Sequence, residues 1–225
     1  MRLYFHPVSP VCRPIMLFAA DENIALDMQL IDLFKGEHKQ PAYLAINPNG
    51  QVPTLDDGDF RLNESSAILK YLAEKSGSRA YPIDLRQRAR VNEMMDWFNT
   101  SLYRDLGYGL VYAQVLPQYI YPDAAVQSAT LARAQAKANH WLGILDQSLI
   151  GAKNKFVCGN DITLADYFGV CFLTLGEVTH LDYDAYPNVT RWINTMKARP
   201  TWAKVNEGFY QYFVGAYKDG KFLGL

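Results

Sequence analysis

The chain is predicted to hold a mixed α/β domain over residues 1–76, a linker at 77–84, and an all-helical domain over residues 85–225. Three observations predict this. Short strand and helix signals alternate as far as Lys75. A polar stretch with glycine and proline follows, Ser76-Gly77-Ser78-Arg79-Ala80-Tyr81-Pro82. From Asp84 onward no alternating strand pattern returns.

In order, Arg2 to His6 is short, apolar and aromatic and reads as a first strand. Val11 to Glu22 carries Ile15, Met16, Phe18 and Ala19 at helical spacing. Ala25 to Asp32 alternates Leu26, Met28 and Leu30 with Asp27 and Gln29 and reads as a second strand. Phe34 to His38 is a loop, and Gln40 to Ile46 a short helix closed by the turn Asn47-Pro48-Asn49-Gly50. Gln51 to Leu55 and Phe60 to Leu62 form two strands around Asp56-Asp57-Gly58-Asp59, a hairpin turn. Glu64 to Lys75 shows one helical face in Ile68, Leu69 and Leu72. The order β-α-β-α-β-β-α, with a parallel first pair and a hairpin last pair, is that of a thioredoxin-like domain. Beyond the linker, helices are expected at Leu85–Tyr112, Ala124–Leu149, Leu164–Val178 and Val189–Arg199, with Pro117, Pro122, Pro187 and Pro200 between or after them. Thr163-Leu164-Ala165-Asp166 is a helix-capping signature, structural rather than catalytic.

Bulk composition narrows the function. Lys plus Arg is 22 and Asp plus Glu is 23, so no basic field is available for a nucleic-acid backbone. The three cysteines, Cys12, Cys158 and Cys171, lack metal-site spacing and suit a reducing compartment. The first residues do not read as a signal peptide, and no run approaches the ~20 apolar residues of a membrane span. The expectation is a soluble cytoplasmic protein with no metal.

Chemistry concentrates in four short segments. Ser9-Pro10-Val11-Cys12 lies between first strand and first helix, where thioredoxin-like proteins carry a C-x-x-C redox pair. Ser9 stands in the first cysteine's place, so a dithiol cycle is not expected. A serine hydroxyl there can instead donate to the thiolate of a thiol that arrives as substrate, or it can simply cap the helix. In Val52-Pro53, a cis proline before the third strand would let Val52 pair with a peptide ligand; the alternative is a trans proline opening an edge strand. Asn63-Glu64-Ser65-Ser66 opens a helix, where free N–H groups bind a carboxylate; Ser65 suits that carboxylate and Glu64 an ammonium group. His38, in the loop after Lys35-Gly36-Glu37, is either solvated or within reach of a second carboxylate.

These segments resemble the theta-class glutathione transferases and the related bacterial dichloromethane dehalogenases. The resemblance is carried by Ser9 to Arg13, Lys35 to His38, Asn47 to Pro53, Asp57 to Phe60 and Glu64 to Ile68. It continues through Arg88 to Val91, Trp97 and Gly159 to Asp166, over nearly the whole chain. It implies a glutathione transferase with glutathione as co-substrate. Ser9 would activate the sulfur; His38, Gln51, Val52, Pro53, Glu64 and Ser65 would bind the tripeptide. It also implies a homodimer, with Asn99 or Thr100 as a contact across the interface. Theta enzymes and dehalogenases differ after Trp97, where this chain has Phe98 to Tyr103, so the electrophile is unassigned. Tyr103, Tyr108 and Tyr112 recur at near-helical spacing and are candidates for an apolar electrophile pocket as well as for core; the aromatic tail Phe209 to Tyr217 can fold over that pocket or pack on the helices. Tyr4 and Cys12 are rivals to Ser9, both read as packing. The competing functions are a non-catalytic ligand- or partner-binding protein and a glutathione-dependent reductase acting through Cys12.

Overall fold

A computed structural model describes all 225 residues. The first domain is a four-stranded sheet of order β2-β1-β3-β4, built from β1 (Arg2–Phe5), β2 (Asp27–Leu30), β3 (Thr54–Asp57) and β4 (Phe60–Asn63). β1 runs parallel to β2 and antiparallel to β3, and β3 pairs antiparallel with β4. α1 (Arg13–Asp21), α2 (Pro41–Leu44) and α3 (Ser65–Ser76) complete it.

Two strand expectations need correction. The third strand begins at Thr54, not Gln51, because Pro53 has no N–H to give to a ladder and the Val52–Pro53 bond is cis. It runs on to Asp57, which pairs with Phe60, so the turn is Gly58-Asp59 alone. β2 buries no face. It is the outer strand of the sheet, and Met28 and Leu30 are 41% and 48% exposed.

The second domain is helical. α4 (Leu85–Trp97) continues without a break through a π-helical stretch, Phe98–Tyr112, into α5 (Ala113–Val115). α6 (Ala124–Ile144), α7 (Leu164–Thr174) and α8 (Pro187–Lys197) follow. Pro187 opens α8 instead of lying outside it, since a proline in the first turn gives up no helical bond. The sequence reading missed α9 (Trp202–Phe209), which continues as further helical turns to Tyr217. No helix is long and apolar enough to cross a membrane.

Every residue of α7 is buried, including Asp166, so this helix forms the axis of the domain. Asp166 accepts from the Thr163 N–H (2.8 Å), the Thr163 hydroxyl (3.0 Å), the Val157 N–H (2.9 Å) and the Trp192 indole (2.9 Å). The capping segment therefore also ties α7 to α8. The two domains meet where α1 packs on α7 and α9. There Arg13, fully buried, donates to the Asn206 side chain (2.7 Å), the Thr174 hydroxyl (2.7 Å) and the Cys171 carbonyl (3.4 Å), and lies 3.7 Å from the Phe209 ring centre. No carboxylate forms an ion pair with it; its acceptors are neutral.

Candidate active site

The turn from β1 into α1 sets Ser9 at the edge of the sheet. Its carbonyl accepts from the Cys12 and Arg13 N–H groups at 3.1 and 3.0 Å, which starts the helix. Its hydroxyl accepts from the Cys12 N–H at 3.3 Å and donates to no group in the chain. The capping reading thus accounts for the oxygen and leaves the proton free. The Val11 N–H also has no partner in the chain, and Val11 lies beside Ser9 in the same cavity wall.

Asn47, read from the sequence only as part of a turn, shapes the next segment. Its side-chain amide donates to the Gln51 carbonyl at 2.7 Å and the Thr54 hydroxyl at 3.2 Å, while the Tyr43 hydroxyl donates to the same Gln51 carbonyl at 2.8 Å. Gln51 is held by its carbonyl, and neither the N–H nor the C=O of Val52 is paired within the chain. Glu64 precedes α3 with φ 67° and ψ 116°, a backbone region that costs a non-glycine residue about 1–3 kcal/mol. That turn presents the first N–H groups of the twelve-residue α3, at Ser65 and Ser66, to the cavity; the helix leaves them without partners. His38 lines the same cavity. Its Nδ1 is buried with no hydrogen-bond partner, and burial, followed by the charge of Lys39, lowers its pKa.

One cavity of about 810 Å³ collects these groups. Ser9, His38, Gln51, Val52, Pro53, Glu64 and Ser65 line it from the first domain. Tyr103, Tyr108, Tyr112 and Asn99 line it from the second, and Thr100 does not; the Thr100 hydroxyl donates to the Asp96 carbonyl. Sequence reading missed Lys39, Asn49, Arg104 and Tyr119, which line it too. Of the aromatic tail, Phe213 reaches the cavity while Phe209 is core.

The rivals to Ser9 are packed away. Tyr4 is 8% exposed and its hydroxyl donates to Asp56 at 3.3 Å. Cys12 is fully buried, and burial pushes its thiol up to about 12. A thiol so placed is neither ionised nor reachable, which removes the ground for a reductase acting through it.

A thioredoxin-like sheet lines this cavity on one side and the helices of the second domain wall it on the other. Comparison with known proteins gives the family. Residues 8–75 match the glutathione S-transferase N-terminal domain family and residues 112–200 the glutathione S-transferase C-terminal domain family. Human glutathione S-transferase theta-1 is 36% identical over 202 residues, 88% of this chain and 82% of that protein. A delta-class glutathione transferase of Nilaparvata lugens superposes with a TM-score of 0.80 at 33% identity, over 97% of this chain and 98% of that one. Human theta-2, solved with glutathione and an unknown ligand, superposes with a TM-score of 0.82 at 28% identity, over 100% of this chain and 93% of that one. The chain belongs to the glutathione S-transferase family and is theta-like.

Proposed function

We propose that the chain transfers glutathione to small hydrophobic electrophiles, alkyl halides among them. One observation carries the reading: a single cavity has unpaired donors of the first domain on one side, at Ser9, Val11, Val52 and Ser65, and an aromatic wall of the second on the other. In this reading residues 1–76 hold the tripeptide and residues 85–225 hold the electrophile. Val52 pairs its free N–H and C=O with the cysteinyl part, as an added strand does. Ser65 takes the γ-glutamyl carboxylate at the start of α3, and Glu64 takes the ammonium group. His38, with Gln51 and Lys39 beside it, takes the glycyl end. Ser9 donates to the sulfur and favours its thiolate, the attacking species.

Binding and chemistry then separate by residue. Ser65→Ala and Glu64→Ala are expected to weaken glutathione binding by roughly tenfold each, the loss of one hydrogen bond to a charged group, with kcat at saturating glutathione much less affected. Calorimetric titration with glutathione checks this, and unchanged affinity in both variants would sink the assignment.

The proposed assembly is a cytoplasmic homodimer. The family and the near balance of 22 basic and 23 acidic residues support it, with α3 and the α4 run as the interface and Asn99 or Thr100 as the contact toward the partner. Light scattering at micromolar concentration is expected to give twice the 25.5 kDa chain mass; a monomer refutes it.

A further inference from the structure

The chain reaches Ser9 from β1 through a tight turn, His6-Pro7-Val8-Ser9, and His6 closes that turn twice. Its carbonyl accepts from the Ser9 N–H at 3.1 Å, with Pro7 at the second turn position, where its fixed φ is suited. Its ring Nδ1 accepts from the Val8 N–H at 3.3 Å. A backbone N–H can only donate, so Nδ1 carries no proton and the neutral ring carries it on Nε2. The arrangement is that of an Asx-turn, in which a side-chain acceptor takes the N–H two residues on, with an imidazole in place of a carboxamide.

The turn depends on this residue. Pro7 has no N–H, so Val8 and Ser9 have the only two between His6 and Pro10, and both end on His6. The imidazole is buried, with the Phe34 ring edge-on to it at 5.1 Å. Burial lowers its pKa; Asp32 acts against that and His38 with it. The acceptor is therefore free of a proton at neutral pH. His6 does not line the cavity, whereas Val8, Ser9 and Phe34 do. Without an acceptor at Nδ1, the N–H of buried Val8 has no partner, and the Val8 peptide must turn to find one. Ser9 is the next residue. A misplacement of about 1 Å can cost about 10²-fold in rate.

We propose that His6 is a positioning residue for Ser9: its Nδ1 fixes the Val8 peptide and with it the place of the Ser9 hydroxyl against the glutathione sulfur. The inference rests on the glutathione-transfer reading. His6 touches neither sulfur nor electrophile and acts only through Ser9.

Two variants separate the acceptor from the ring. His6→Phe keeps an aromatic ring against Phe34 and removes the acceptor. His6→Asn gives up the ring and keeps an acceptor, because its amide oxygen is joined to Cγ as Nδ1 is. His6→Phe is expected to lower kcat near neutral pH by about tenfold and to raise the thiol pKa of bound glutathione by up to about one unit, with KM for glutathione nearly unchanged. His6→Asn should restore both to near the wild-type values. Thiolate absorbance against pH reads the pKa, as it would for any variant that folds. If His6→Phe does not fold, His6→Gln takes its place, since its amide reaches the position of Nε2 and not that of Nδ1. A double-mutant cycle gives the second readout. In a Ser9→Ala background, His6→Phe should change the thiol pKa no further, because the hydroxyl it positions is gone. An unchanged thiol pKa in His6→Phe or in its substitute, a loss that His6→Asn does not rescue, or an added shift in the Ser9→Ala background each overturn the proposal. If wild type binds no glutathione, the glutathione reading fails and this inference with it; if it binds glutathione with a lowered thiol pKa that the His6 variants leave alone, only the His6 assignment fails.

Discussion

Ser9→Ala should return the thiol of bound glutathione toward the roughly 8.5 of a free thiol and cut turnover near neutral pH by about 10- to 100-fold. A hydrogen bond to a charged acceptor contributes roughly 1.5–3 kcal/mol, and each 1.4 kcal/mol is about one unit of thiol pKa. The hydroxyl has its proton to give, since within the chain its oxygen only accepts, from the Cys12 N–H at 3.3 Å. Glutathione affinity should change far less, because in the proposed binding mode the tripeptide is held at its ends and the hydroxyl discriminates thiolate from thiol. The readout is thiolate absorbance of the glutathione complex against pH. Cys12→Ala serves as the control and should leave that titration where it is, as a fully buried thiol has no part in it. A Ser9→Ala enzyme with the wild-type titration and turnover would reduce Ser9 to a helix-starting residue.

The second large effect is on stability. Asp166→Ala should cost about 3–5 kcal/mol, because it leaves the Val157 and Thr163 N–H groups and the Trp192 indole buried without an acceptor. Urea unfolding measures it, and a loss under about 1 kcal/mol would mean that water or relaxed geometry satisfies those donors. The same residue sets a pH dependence. Burial pushes its carboxyl up to about 6 in spite of the four donors around it, above the ordinary 3.8. The native state then holds a proton that the unfolded chain has released, so this group's contribution falls as pH rises from about 4 to about 6. Asp166→Asn should flatten that part of the stability profile.

The first-domain half of the cavity was legible because each of its groups sits at the end of an element and carries a local signal. Ser9 follows a strand, Val52 precedes a proline, and Ser65 opens a helix, so short segments of chain fix their places in the cavity wall. The second-domain half was only partly legible. Tyr103, Tyr108 and Tyr112 were picked out by near-helical spacing, but the π-helical winding of that stretch was not legible. Tyr119 joins them from the short turn after α5, and Phe213 by tertiary packing across about a hundred residues of chain. α9 went unseen because Asn206 and Gly208 are poor helix formers. Their places are set by neighbours: Asn206 accepts from Arg13, and at Gly208 a Cβ would stand 2.9 Å from Pro7, in the loop that leads to Ser9. Arg13 itself carried a signal that went unused, an arginine on a helix otherwise rich in Ile15, Met16, Phe18 and Ala19.

The Arg13 seam bears on how such chains can be recombined. A guanidinium with no counter-charge, sealed under Phe209, is tolerable only while Asn206, Thr174 and the Cys171 carbonyl are all in register with it. At a nearby seam the charge is paired: Asp21 of α1 accepts from Tyr167 at 2.9 Å and from the Thr201 hydroxyl and forms an ion pair with Arg199. A glutathione-binding half grafted onto the helices of a relative would strand both charges unless these positions travelled with it. The unit of exchange in this protein is therefore not the domain but the set of residues that face each other across it, and a hybrid built by cutting at the linker should fold only when that set is carried over whole.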